Sequence, residues 1–183
     1  MNHYDQIARH FESHIGALSL SVDIIAEVIG HAADNAAEAI FTEQKLFSCG
    51  IGADGANAIL LSELLQRGVF RERPALPVIE LVARHSVNAS DGASWVSHQL
   101  QSLGQPGDMA IIFASGLPAS GVQEISGALA ARDIAGVWIG NSGKGIELTF
   151  PETSAATALA LSSASAIALA ELIDITAFGP LEG

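Results

Sequence analysis

A regular alternation of short apolar runs with helical stretches constrains the fold of this chain more than any other feature. The apolar runs predict five strands, near Lys45 to Cys49, Val78 to Val82, Met109 to Ala114, Gly136 to Ile139 and Ile146 to Phe150. Helical stretches separate the first four, a pattern typical of a parallel sheet covered by helices on both faces. We therefore predict an α/β fold that binds ligands at the carboxyl ends of its strands.

The residues before the first strand have a different pattern. Apolar side chains recur at three- and four-residue spacing, which predicts one amphipathic helix from about His3 to Ile29 and a second from about Asp34 to Thr42. Neither belongs to a strand-helix-strand unit, so they need another surface to pack on. We predict a single domain, residues 1–183, with a helical arm over 1–43 and an α/β core over 44–183.

Composition restricts the partners and the compartment. Hydrophobic residues make up 49% of the chain and charged residues 15%, which indicates more apolar surface than a monomer would hide and predicts a homo-oligomer. A net charge of −12 argues against direct binding of nucleic acid or anionic membrane. One cysteine and an N-terminus without a signal-peptide core favour the cytoplasm. The uncharged run 153–170, mostly Ala, Ser and Thr, predicts a buried helix rather than a membrane span.

The stretch SCGIGADGAN joins the first predicted strand to the next helix. Gly50, Gly52 and Gly55 match the dinucleotide fingerprint, but no acidic residue follows the second strand, which leaves an NADP site using Arg84 as the alternative. Asp54 distinguishes this loop from a phosphate cradle, because its carboxylate can accept from the amides that would bind a phosphate. We predict that Asp54 caps its own helix, with a working anion site as the alternative.

A second candidate cradle, ASGLPASG, follows the third predicted strand. Ser115 and Ser120 have hydroxyl groups that can bind a ligand, while Pro118 lacks an amide donor. Ser120 is equally suited to cap the following helix. Ligand contact and a purely structural turn therefore remain open for this loop.

Histidines and the cysteine give no metal signature. His10 and His14 lie four residues apart, but the zinc-protease pattern needs a glutamate next to the first histidine, and Glu12 is one position too late. Cys49 ends an apolar strand without nearby basic residues and is interpreted as a core thiol. We predict no metal and no other cofactor.

Four segments together resemble the sugar isomerase (SIS) family: SCGIGADGANA, RERPALPVIEL, the Gly107-Asp108 entry to the third strand, and ELIDITAFG. Over about residues 5–180 the chain is similar to the branch that contains phosphoheptose isomerases and the DnaA initiator-associating protein. The resemblance implies a flavodoxin-like, five-stranded parallel sheet. It also implies a homotetramer whose N-terminal helices form a bundle.

The resemblance also implies where the isomerase chemistry would be. The family's isomerases convert sedoheptulose 7-phosphate with zinc and four polar residues, whose positions correspond here to Leu60, Leu64, Leu159 and Ile167. All four are aliphatic, and aldose–ketose isomerisation needs a base. We therefore expect a pseudo-isomerase, not an enzyme.

Three functional hypotheses follow from the resemblance. The first is a non-catalytic, protein-binding regulator with DnaA as the candidate partner and Phe178 as a candidate aromatic anchor. The second is a sugar-phosphate binding or sensing module, whose altered pocket contains Gly50, Gly52, Asp54, Ser115 and Ser120. In that pocket Asp54 would accept from sugar hydroxyls or pair with an amine. The third is an active sedoheptulose 7-phosphate isomerase.

Overall fold

A five-stranded parallel sheet forms the centre of the protein, whose computed structural model describes residues 2–84, 88–150 and 153–181. The strands are β1 (Leu46–Gly50), β2 (Val78–Val82), β3 (Met109–Phe113), β4 (Ala135–Ile139) and β5 (Ile146–Leu148). Their order across the sheet is β2-β1-β3-β4-β5, with every neighbouring pair parallel. This flavodoxin-like order confirms the predicted α/β fold, and each predicted strand is present within two residues of its expected ends.

Helices cover both faces of the sheet. Those on one face are α1 (His3–Phe41), α2 (Gly55–Arg67) and α5 (Ala155–Phe178), and those on the other are α3 (Ala89–Leu103) and α4 (Ala119–Arg132). Strand residues alternate between the two cores, so Ile111 and Phe113 pack on the first face and Ile112 on the second. Burial on both faces explains why β1 and β3 are buried at every position.

The N-terminal arm is one continuous helix, so the prediction of two helices is wrong. The segment between the two predicted helices continues through Gly30 and His31 into a run of buried alanines, which have the strongest helix propensity. These alanines are Ala32, Ala33, Ala36, Ala37 and Ala39. They allow α1 to pack closely on α5 and the sheet.

The two longest helices, α1 and α5, would be long and apolar enough to cross a membrane by length and composition alone. α5 has buried residues from Thr157 to Asp174, as predicted for the run 153–170, because it packs against α1 and α2. α1 instead exposes large apolar side chains: Tyr4, Ile7, Phe11, Ile15, Leu20, Val22 and Ile24. Such a surface is typical of a protein–protein interface.

Candidate functional site

A cavity of about 630 Å³ lies at the carboxyl edge of the sheet, beside the loops that follow β1 and β3. The chain leaves β1 and β3 toward opposite faces of the sheet, so this edge is the topological switch point where α/β folds bind ligands. The described lining residues are Ile51, Gly52, Ala53, Asp54, Ala83, Asn88, Ala89, Ser115, Gly116, Leu117, Gly140, Phe150, Thr153, Ala155, Ala158 and Leu159. Within this set, Asp54 is the sole ionisable side chain.

Asp54 connects the two loops. Its Oδ2 atom accepts hydrogen bonds from the backbone N–H of Ser115 at 2.7 Å and from the Ser115 Oγ at 2.6 Å. The prediction that Asp54 caps its own helix is wrong, because its side chain makes no capping bond to α2. The reason is local conformation: Asp54 ends a short 3₁₀ turn (Gly52–Asp54) with helical φ and ψ of −67° and −12°, whereas a capping residue is extended.

Two further side chains fix the position of this carboxylate. Asn57 on α2 donates from Nδ2 to Asp54 Oδ1 at 3.3 Å, and the hydroxyl of Ser163 on α5 donates to Asn57 Oδ1 at 2.6 Å. Asp54 and Asn57 are each only 3% exposed. A chain of hydrogen bonds therefore runs from α5 through α2 to the loop after β3.

The glycines of the first loop have different roles. A Cβ atom on Gly50 would lie 2.6 Å from the Asp54 carbonyl oxygen and 2.8 Å from the Ala58 Cβ, so Gly50 allows α2 to start directly against β1. Gly52 lines the cavity with a φ of +61°, a conformation that favours glycine. Gly50 is outside the described lining, whereas Gly52 is part of it.

The two serines of the second loop also differ in their position relative to the cavity. Ser115 lines the cavity, but Ser120 lies exposed in the first turn of α4, outside the described lining. The alternative that Ser120 caps α4 is wrong, because Pro118 is the residue at the N-cap of α4 and makes no side-chain bond there. Gly52, Asp54 and Ser115 are thus the predicted ligand-contact residues that the fold brings together.

The positions that correspond to the family's zinc and proton-transfer residues do not fit a metal. Leu60 and Leu64 pack against the core on the α2 side, Leu159 lines the cavity, and Ile167 is 43% exposed. None of these side chains contains a ligand atom. In the three described stretches, His, Cys, Asp and Glu form no group of three that could bind a metal ion.

Other candidate residues lie away from the cavity. His10 and His14 are exposed on α1 with their rings 4.3 Å apart, and Arg84 pairs with Glu80 at 2.6 Å. Cys49 is fully buried, and burial raises the pKa of its thiol, which agrees with its interpretation as a core thiol. Phe178, the last residue of α5, is 43% exposed.

Sequence reasoning missed the residues that support Asp54. Asn57 lies three positions after Asp54, a spacing that places two side chains on one side of a helical turn and could have indicated the contact. Ser163 gave no such signal, because it is 106 positions from Asn57 and reaches it only after α5 has packed on α2.

The chain is similar in sequence to phosphoheptose isomerases. It is 31% identical to one from Methylococcus capsulatus over 140 residues, which are 73% of this chain and 70% of that protein. It is 30% identical to one from Chromohalobacter salexigens over the full length of both chains. A scan against protein-family models found no match.

Solved structures support the same fold. A phosphoheptose isomerase from Francisella tularensis matches with a TM-score of 0.82 and 21% identity, covering 95% of this chain and 99% of that one. The enzyme from Neisseria gonorrhoeae matches with a TM-score of 0.78 and 19% identity, covering 94% and 99%. At these identities the structural likeness shows the SIS fold.

These relatives correct one expectation. The conclusion that the chain is not an enzyme is wrong, because relatives 30% and 31% identical to it, one of them over its full length, are named phosphoheptose isomerases. Of the four aliphatic residues at the family positions, Leu159 is the one in the described lining, so these positions alone do not decide the chemistry of the cavity. By sequence and by fold, this chain belongs to the phosphoheptose isomerase family.

Proposed function

We propose that this chain is a sugar isomerase that binds a sugar derivative in the cavity at the carboxyl edge of β1 and β3. The observation that supports it most is the cavity itself, at the switch point of the sheet, with Asp54 and Ser115 converging on it. The names of the relatives supply the reaction class and suggest a heptose phosphate as the first substrate to test.

The lining suits a polyol. Asp54, Ser115, Asn88 and Thr153 offer polar atoms for sugar hydroxyls, and the apolar part of the lining can pack against the C–H faces of a sugar. Isomerisation between an aldose and a ketose moves a proton between adjacent carbons. Asp54 is the carboxylate in the described lining that can accept this proton.

The test uses sedoheptulose 7-phosphate in deuterium oxide, followed by NMR. The wild-type protein should form an aldose product and incorporate solvent deuterium next to the carbonyl carbon. Asp54→Asn should lower kcat by roughly 10²–10⁴-fold, the usual contribution of a general base. Asp133→Asn is a matched control, because it removes the same charge at the exposed end of α4, at the opposite edge of the sheet. Binding of sedoheptulose 7-phosphate without formation of an aldose would contradict the isomerase assignment.

We propose further that the protein is a homo-oligomer, and the resemblance to the family suggests a tetramer. The support is the apolar surface of α1, where Phe11 and Ile15 are 62% and 61% exposed. Sedimentation equilibrium should give a mass above that of one chain, and Phe11→Glu should lower it. A wild-type protein that sediments as a monomer would refute this.

Protein-partner binding is the second candidate function. Phe178 supports it, because its ring is 43% exposed at the end of α5. The guanidinium of Arg73 packs against this ring, with the Cζ atom 5.6 Å from the ring centroid, and can hold it in place. DnaA is the partner that the resemblance suggests. Binding of purified DnaA should weaken in Phe178→Ala. It should persist in the control Phe41→Ala, which removes an exposed phenylalanine from α1 instead of α5. Equal binding by both variants would exclude Phe178 as the anchor.

A further inference from the structure

The cavity contains a carboxylate at the place where the two loops present their donors. Ser115 directs both its backbone N–H and its hydroxyl at one oxygen of Asp54, at 2.7 and 2.6 Å. These are short, charge-assisted hydrogen bonds. A phosphate bound at this point would need the same two donors.

The Asp54 carboxylate is not free to turn away. Its other oxygen accepts from Asn57, which is in turn fixed by Ser163, and the Asp54 residue is 3% exposed. No cationic side chain offsets its charge within the described lining of the cavity. At the effective dielectric near a protein surface, one like charge 4 Å away weakens anion binding on the order of a thousandfold.

The same geometry favours a donor. Oδ1 of Asp54 has one long contact, 3.3 Å to Asn57, so it keeps acceptor capacity for a donor in the cavity that Asp54 lines. The Ser115 hydroxyl donates its one hydrogen to Asp54, so towards a ligand its oxygen can only accept a hydrogen bond. Both groups match a hydroxyl or an ammonium, whereas phosphate oxygens only accept.

We propose that Asp54 supplies the anion of this cradle, so that the ligand group bound beside Ser115 is a hydrogen-bond donor, a sugar hydroxyl or ammonium, and not a phosphate. The inference rests on the proposed function in taking the ligand to be a sugar derivative. A phosphorylated sugar would then bind with its phosphate directed away from Asp54.

The test follows the backbone amide signal of Ser115 by NMR during titration with three probes: inorganic phosphate, D-glucosamine and D-glucose. In the wild-type protein the two sugars should shift the signal and phosphate should not. A stronger effect of glucosamine identifies an ammonium site, and equal effects identify a hydroxyl site. A phosphate-induced shift in the wild-type protein would overturn the proposal, and this arm needs no variant.

Variants then assign the effect to the carboxylate. Asp54→Asn should bind phosphate at least tenfold more tightly than the wild-type protein and bind glucosamine at least tenfold more weakly. Asp54→Ser should show the same gain and serves as the second variant if Asp54→Asn does not fold. Asp133→Asn should behave like the wild-type protein. Unchanged phosphate affinity in both Asp54 variants would refute the proposal.

The outcome is separable from that of the proposed function. If neither sugar shifts any signal in the wild-type protein and sedoheptulose 7-phosphate is not converted, the proposed function fails. A gain of phosphate binding in Asp54→Asn would still support exclusion of phosphate by Asp54.

Discussion

Replacing Asp174 with alanine should destabilise the fold by about 3–5 kcal/mol, because it leaves a buried guanidinium without its counter-ion. Asp174 is a fully buried residue of α5, and its Oδ2 accepts from the Nε of Arg73 at 2.7 Å. The side chain of Arg73 is 2% exposed. Arg71 lies on the other side, with Nε 2.6 Å from Asp174 Oδ1, an ion pair that lacks hydrogen-bond geometry.

The size of this destabilisation depends on what Arg73 and Arg71 each lose when the Asp174 carboxylate is removed. Arg73 would keep bonds to the carbonyls of Leu65 and Pro74, at 2.8 and 2.9 Å, so its charge would stay in the core instead of turning to solvent. Arg71, whose side chain is 22% exposed, can be partly hydrated and adds less. For a chain of this size, 3–5 kcal/mol corresponds to a fall in Tm of roughly 6–20 °C.

Urea unfolding at a fixed protein concentration measures this change. Glu63→Ala is the control, because it breaks an exposed pair with Arg67 on α2 and should cost only about 0–0.5 kcal/mol. Asp174→Leu combined with Arg73→Met should be less destabilising than Asp174→Ala, since it removes both charges together. If Asp174→Ala costs no more than Glu63→Ala, the reasoning about the buried pair is refuted.

Three further variants test other contacts of the fold, each by urea unfolding. Gly50→Ala should lower the free energy of unfolding by about 1–3 kcal/mol, because its Cβ would lie 2.6 Å from a backbone oxygen. A decrease below about 0.5 kcal/mol would contradict the close approach of β1 and α2. Asp108→Ala should lower the free energy of unfolding by at least about 2 kcal/mol, since Asp108 accepts from Lys45 Nζ at 2.6 Å and from two backbone N–H groups. A variant as stable as the wild-type protein would show that water replaces the carboxylate. Burial raises the pKa of the Cys49 thiol, so the contribution of this thiol to stability should be complete below the pKa of the unfolded state. Above about pH 8.5 the free energy of unfolding should fall by up to about 1.4 kcal/mol per pH unit. Cys49→Ala should lack this slope. The same slope in both proteins would show that Cys49 does not cause it.

The fold was predictable because its signal is local. Each strand is a short apolar run, and burial on both faces makes such runs stand out between helical stretches. The ends of the helices were less predictable. The predicted gap between the two N-terminal helices, residues 30–33, is helical, because packing of the neighbouring alanines on α5 outweighs the low helix propensity of Gly30.

The site was predictable only in part. The loops after β1 and β3 and the position of Asp54 in the first of them could be inferred, because ligand loops follow the strands of a parallel sheet. The partner of Asp54 could not, since Ser115 lies 61 positions away and meets it only when β1 and β3 pair. The same holds for Arg73 and Asp174, which are 101 positions apart.

NMR titration of the wild-type protein with sedoheptulose 7-phosphate tests the proposed sugar site most directly. We expect shifts in the backbone amide signals of residues that line the cavity, with Ala53, Asn88 and Gly116 as reporters from three different loops. Signals of Val22 and Ala168, which line an apolar groove between α1 and α5, should not move. Shifts confined to that groove, or no shifts at any sugar concentration, would contradict the assignment of the cavity as the sugar-binding site.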